Sequence, residues 1–381
     1  MIYFDNAAST WPKPPEVEMA MMTCIREYAA NPGRGGHQLS IRAGRTLFQC
    51  RNLLAKLFAV TNPNDISFFP NATGAINQGI QGLLQEGDHV ITTMIEHNSV
   101  RRPLEYLSKL GKIELSYVEV ALDGTVSLKE LDTLIKPNTK LLVVSHASNL
   151  LGTIIPIGEL GRWAKGKGIV FMVDASQSAG AISINVERDN IDLLAFPGHK
   201  GLYGPQGTGG LYIHPSLELT PLILGGTGSH SESIDQPKER PERFESGTPN
   251  TVGIAGLAAG VEFVLKTGVG QIWEHEQQLT QYCLSELINM DGITVYGPPP
   301  GVNRTAVISF NLEGLDPNEL AFILDDYYGI AVRAGFHCTP LAHETAGTSQ
   351  LGSVRISFSY FNTVEEVNRF IEVMKEIKKQ M

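Results

Sequence analysis

The 381-residue chain is poor in cysteine, carrying four in all: Cys24, Cys50, Cys283 and Cys338. Thiols this few and scattered exclude a disulfide framework and a Cys-x-x-Cys metal site. Long apolar runs are missing, since none approaches the ~20 residues of a membrane span. The opening Met1-Ile2-Tyr3-Phe4-Asp5 has neither the basic start nor the apolar stretch of a signal peptide. A cytoplasmic protein without a membrane partner is therefore expected. Positive charge is also in deficit, with 30 Lys and Arg against 40 Asp and Glu. A net charge of −10 argues against a nucleic-acid partner, which calls for a basic face. Internal repeats and low-complexity segments are lacking too. With 42% hydrophobic and 18% charged residues, what remains is a compact chain long enough for two domains.

From about residue 60 to 215, short apolar strands alternate with amphipathic stretches. Strands are expected at Ile66–Phe69, His89–Thr92, Ile113–Tyr117, Leu141–Ser145, Ile169–Val173 and Leu193–Phe196, with helices such as Ala75–Leu84, Arg102–Leu110 and Leu128–Ile135 between them. That alternation implies an α/β fold with a mostly parallel sheet covered by helices on both faces. Ligands on such sheets sit beyond the carboxyl ends of the strands. Further on, helices at Ile254–Leu265, Val269–Met290, Pro317–Tyr327 and Val364–Lys379 interleave with strands at Ile293–Tyr296, Ala306–Phe310 and Val354–Phe358. This reads as a smaller α+β C-terminal domain. The expected division is an N-terminal segment, 1–15, packing with the small domain, a large domain, 16–255, and the small domain, 256–381. Thr227–Pro241 is polar and unpatterned, which fits a surface loop or a subunit contact.

Lys200 is the residue with the most chemical meaning. It lies in a glycine-bordered loop, Gly198-His199-Lys200-Gly201-Leu202-Tyr203-Gly204, after a strand that ends in Asp174. An aspartate at a strand end and a lysine on a following loop are what pyridoxal phosphate (PLP) requires: an amine for its aldehyde and a carboxylate for its ring nitrogen. A surface lysine beside a strand-end aspartate is the plainer alternative. Asn71-Ala72-Thr73-Gly74-Ala75 opens a helix, where free N–H groups make either a phosphate cradle or an ordinary cap. His97, after the next strand, can lie against a cofactor ring and exchange protons, or be a hydrogen-bonded loop histidine. Asn149 and Gln177 fall near the same sheet edge and can bond a ring oxygen; Asn149 can also reach a substrate. Arg355, inside the apolar strand Val354–Phe358, needs an anion. A substrate carboxylate, Glu344 or Asp325 would each serve. Cys338 sits in Arg333-Ala334-Gly335-Phe336-His337-Cys338-Thr339-Pro340, outside any periodic pattern, as a reactive thiol or one without a role.

Together these segments resemble the cysteine desulfurases, in the class V aminotransferase group of fold-type I PLP enzymes. The resemblance runs nearly end to end. Tyr3–Ala8, Asn31–Ser40, Gly198–Lys200 with Tyr203–Pro205, and Arg243–Asn250 each match a family motif, and Gly335–Cys338 resembles the active-cysteine loop of the second, SufS-like group. It implies a seven-stranded, mostly parallel sheet and a catalytic set of Lys200, Cys338 and His97. Lys200 holds PLP, Asp174 pairs with its ring nitrogen, Gln177 bonds its phenolic oxygen and His97 stacks on it. Thr73, Gly74 and His199 hold the phosphate, with Thr248 and Gly225 or Gly226 reaching in from a second subunit of a homodimer. Asn149, Arg355, Ala7 and His37 contact the substrate. The implied reaction turns L-cysteine into L-alanine, leaving a persulfide on Cys338 for an acceptor protein, as in iron–sulfur cluster assembly. A selenocysteine lyase, another class V reaction and a non-catalytic PLP-binding scaffold for sulfur transfer are the alternatives. Two positions depart from the pattern: Pro197 replaces a frequent Ser or Thr, and Phe336 a frequent histidine.

Overall fold

The computed structural model describes residues 1–33, 35–228 and 232–381. Arg34, in the second early motif, and residues 229–231, within the expected Thr227–Pro241 loop, lie outside the described residues.

A two-residue strand, β1 (Ile2–Tyr3), precedes seven strands that form the large sheet. These are β2 (Ile66–Phe69), β3 (Asp88–Thr93), β4 (Ile113–Val118), β5 (Thr139–Ser145), β6 (Val170–Asp174), β7 (Leu193–Pro197) and β8 (Gly209–Ile213). Their spatial order is β2-β8-β7-β6-β5-β3-β4, and β8 alone runs antiparallel to its neighbours. The central strands are apolar at nearly every position because both faces are covered. Leu142, Val144, Phe171 and Val173 pack with helices Gln38–Phe58, Ile157–Lys167 and Thr251–Thr267. Leu141, Val143 and Met172, one step out of phase, pack with Ala72–Leu83 and Asn98–Lys109. The period of two along each strand thus feeds two separate cores.

The C-terminal third contributes β9 (Ile293–Tyr296), β10 (Val307–Leu312), β11 (Ile330–Ala331), β12 (Arg333–Gly335) and β13 (Ser353–Ser357). β12-β13-β10-β9 form an antiparallel sheet, and β1 pairs in parallel with β11. Helices Val269–Ile288, Pro317–Tyr328 and Val364–Gln380 bury Leu284, Leu320 and Phe370 against that sheet together with Phe4.

The alternation predicts the large sheet closely, but β8 escapes it. A Cβ at Gly210 would come within 2.4 Å of the Phe196 ring. Glycine there lets the two strands pack. The unpatterned stretch after Cys338 also holds a short helix, Pro340–Thr345.

Candidate active site

The carboxyl ends of β3, β5, β6 and β7 open into a cleft of about 200 Å³. β6 ends at Asp174, opposite Ser145 at the end of β5. The Ser176 backbone N–H donates to Asp174 Oδ1 at 2.9 Å, and the Ser176 hydroxyl donates to the same oxygen. Oδ2 accepts no hydrogen bond from the described residues. After β7 the chain turns tightly, the Tyr203 N–H donating to the Lys200 carbonyl at 2.8 Å. The Lys200 side chain lines the cleft, and its amine has no hydrogen-bond partner among the described residues. Burial pushes that amine down to about 8; Asp174 pulls it up, while Arg355 and Arg333 push it further down.

Asn71 caps helix Ala72–Leu83, its side chain accepting the Gly74 N–H at 2.8 Å and its carbonyl the Ala75 N–H at 3.3 Å. Among the described residues the N–H groups of Ala72 and Thr73 have no partner, which is the usual anion site of a helix start. His199 lines the same cleft with Nδ1 buried and unbonded. The loose ends therefore fit PLP: an anion cradle, a carboxylate for a protonated ring nitrogen, and an amine for an aldehyde. Pro197 lines the cleft without a hydroxyl. One is available nearby, since Ser99 Oγ shares a 2.8 Å hydrogen bond with Thr73 Oγ1 and also borders the cleft.

His97 caps helix Asn98–Lys109, with Nδ1 accepting the Ser99 N–H at 3.0 Å. That bond fixes Nδ1 as an acceptor, so the neutral ring carries its hydrogen on Nε2. Burial pushes His97 down to about 4, against the pull of Asp174, and the ring is neutral near pH 7. Beneath it, Glu96 accepts from Thr93 Oγ1 at 2.6 Å, the Ser145 N–H at 2.9 Å and Ser145 Oγ at 2.7 Å.

The opposite wall comes from β12, β13 and the loop between them. Arg355 is 1% exposed; its Nη2 donates to Asp5 Oδ1 at 2.8 Å and its Nη1 to the Asn149 carbonyl at 2.9 Å. The anion it meets inside the chain is thus Asp5, neither Glu344 nor Asp325, and its Nε is left unbonded. Cys338 is the one exposed cysteine, while Cys24, Cys50 and Cys283 are buried in helices. His337 and Cys338 both take left-handed backbone angles (φ 49° and 60°), which non-glycine residues hold only under constraint. The constraints are visible. Asn149 Nδ2 donates to the His337 carbonyl at 2.7 Å, the Asn98 N–H to the Cys338 carbonyl at 2.8 Å, and Thr339 Oγ1 to the Glu96 carbonyl at 3.1 Å. His337 itself is buried, stacks on His343 at 5.7 Å, and is pushed down to about 2 by burial. Phe336, at one of the departing positions, is half exposed and meets His343 edge-on.

Of the residues singled out in the sequence, Ala7, Thr73, His97, Asn149, Asp174, Gln177, His199, Lys200, Cys338 and Arg355 all line this cleft. Gly74 adjoins it one helix position further in. Gln177 Nε2 donates to the Ala7 carbonyl at 3.1 Å, tying the N-terminal segment to the sheet. Gly226 and Thr248 border a second pocket beside Asn31, Pro32 and Gly33, with Gly225 next to it. His37 caps helix Gln38–Phe58 outside the cleft. Asp5, Ser99 and Ser176 do work that sequence reading did not assign to them. Only the position of Asp5 inside a recognisable motif carried any signal.

The aminotransferase class-V family profile matches residues 2–370. The chain is 38% identical to a probable cysteine desulfurase of Methanothermobacter thermautotrophicus, covering 99% of this chain and 94% of the relative. It is 37% identical to a probable cysteine desulfurase of Pyrococcus abyssi, covering 100% and 95%. Among solved structures, a cysteine desulfurase from Thermococcus onnurineus NA1 superposes with a TM-score of 0.94 at 37% identity, covering 100% of this chain and 95% of that one. The fold is that of the fold-type I PLP enzymes, and PLP is the cofactor whose loose ends the cleft satisfies. The chain belongs to the class V aminotransferase family.

Proposed function

We propose that the protein is a PLP-dependent cysteine desulfurase that converts L-cysteine to L-alanine and carries the sulfur away as a persulfide on Cys338. The observation that supports this most is the presence of a lysine amine, an exposed thiol and a buried guanidinium on one cleft, in a chain whose relatives are named cysteine desulfurases. PLP, when bound, supplies an electron sink for the bonds to the substrate's Cα.

The residues divide the remaining tasks. Arg355 binds the substrate carboxylate, using Nε and the second hydrogens of its two terminal nitrogens. Asn149 shares that work through its side chain. Lys200, poised near neutrality, takes the Cα proton. Asp174 would pair with the cofactor's ring nitrogen. His97, neutral with its hydrogen on Nε2, moves a proton to or from the substrate thiol. The Cys338 sulfur then bonds to the substrate sulfur as the substrate's Cβ–S bond breaks. The carbon skeleton leaves as alanine after protonation, and the persulfide passes to an acceptor protein.

The homodimer belongs to the same proposal. Gly226, Thr248 and His37 lie outside their own chain's cleft, and Gly226 follows closely on the exposed apolar run Leu222-Ile223-Leu224. They would complete the cleft of a second copy. A cytoplasmic setting is likewise proposed; among the described residues no single helix is long and apolar enough to cross a membrane.

Mass spectrometry after incubation with L-cysteine tests the central claim. One added sulfur is expected on the peptide containing Cys338, and none in Cys338→Ala, which keeps its cofactor. Undiminished sulfide release from that variant would show that the thiol is not the acceptor. Comparing both proteins on selenocysteine distinguishes a lyase, in which the variant stays active.

A further inference from the structure

Glu276 has no part in the cleft, yet it is the most conspicuous acid outside it. It lies on helix Val269–Ile288 at 7% exposure, and its carboxyl has no hydrogen-bond partner among the described residues. Burying an unpartnered polar group is costly, so such a group calls for a ligand, commonly water. Glu276 lines a cavity of about 40 Å³ that shares Ala7, Ser176, Gln177 and Lys200 with the catalytic cleft. One water needs roughly 10–15 Å³ and two to four polar partners. Thr10, Thr305, Ser357 and Ser359, which line the same cavity, each carry a hydroxyl. Tyr203 completes the lining in a left-handed conformation (φ 56°); its hydroxyl oxygen accepts the Tyr360 N–H at 3.2 Å, which leaves the hydroxyl hydrogen free. The walls come from the N-terminal segment, the Lys200 loop and the C-terminal sheet.

We infer that this cavity is a water-filled chamber behind Lys200, with Glu276 as its resident acid, and that it trades hydrogens with the lysine. The inference rests on the proposed role of Lys200 as the group that takes the substrate's Cα proton. In each trade the Lys200 ammonium gives one proton to a chamber water and receives another that started on Glu276. Charge and electrons are unchanged, and the hydrogen taken from the substrate is diluted into a pool. Burial pushes Glu276 up to about 8, close to the value for Lys200, so the trade runs between groups of matched acidity.

The test uses the holoenzyme and L-cysteine deuterated at Cα, with the reaction run in ordinary water. Wild type should leave little deuterium in alanine. Glu276→Gln, which keeps the shape and hydrogen-bonding capacity of the side chain, should retain several-fold more, and Glu276→Asp should return towards wild type. Retention in Glu276→Gln equal to wild type would overturn the inference, because a merely structural glutamate is rescued by glutamine. A second arm needs no substrate: after a pH jump, the colour change of the bound cofactor should relax several-fold more slowly in Glu276→Gln than in wild type. Equal rates would overturn the chamber. If wild type forms no alanine from cysteine, the desulfurase reading fails and the pH jump alone decides the chamber.

Discussion

Lys200 and Cys338 reach one cleft from walls of different construction. Lys200 stands on a seven-stranded sheet whose core strands are buried on both faces, and a tight turn fixes its backbone. Cys338 stands on a loop joining β12, only three residues long, to the rest of a smaller sheet. Its position depends on a few long-range hydrogen bonds to the Glu96–Asn98 turn and to Asn149. The first wall gets its precision from packing, and the second from polar contacts that can open one at a time. The proposed reaction would gain from that difference. In it the amine stays aligned through a proton transfer, whereas the thiol meets first the substrate and then an acceptor.

Removing the amine breaks the comparison outright. Lys200→Ala should lower alanine formation by at least the ~10²–10⁴-fold usual for a lost general base, and should abolish the visible band of the lysine–cofactor linkage. Retained colour would defeat the assignment. Asp5→Asn strikes the joint between the walls, because it strips the buried Arg355 of its carboxylate. A stability loss of about 3 kcal/mol is expected from breaking a buried pair, read by denaturant unfolding, with a raised KM for cysteine. An unchanged KM would separate Arg355 from the substrate carboxylate.

Asn149→Ala tests whether the second wall is held only by polar contacts. It should cost about 1 kcal/mol of global stability, while hydrogen exchange at residues 336–339 rises and turnover falls. Exchange rising equally around Lys200 would erase the distinction between the walls. The smallest effect concerns Glu96, which lies under both. Burial raises its carboxyl to about 7, while hydrogen bonds from Thr93 and Ser145 oppose that rise and the charge of Asp174 adds to it. A carboxyl raised on folding favours the native state at low pH and loses that contribution as pH climbs through the folded value. Between pH 5 and 8, Glu96→Gln should therefore lose less stability than wild type, by on the order of 1–3 kcal/mol at about 1.4 kcal/mol per unit of displacement. Parallel melting profiles for the two proteins would contradict it.

The difference between the walls also marks what the sequence could reveal. Strand-end positions such as Asp174 and Ser145 follow from short continuous apolar runs, and Lys200 from a glycine-bordered loop after them. Cys338 stood out because it broke a pattern. The partner of Arg355 was beyond reach: Asp325 and Glu344 are near it in sequence, yet the ion pair forms with Asp5, 350 positions away. Local periodicity carries no information about such a closure. Nor does it show that Ser99, after β3, and Pro197, at the end of β7, line one cleft, because two strands stand between theirs in the sheet.

The pairing of Ile2–Tyr3 with Ile330–Ala331 has a consequence for synthesis. β1 has no partner until roughly 330 residues later in the chain, a wait of about 16 to 66 seconds at ~5–20 residues per second. Through that interval β1 stays unpaired. Its docking, and with it the seating of Asp5 on Arg355, belongs to the final stage of maturation.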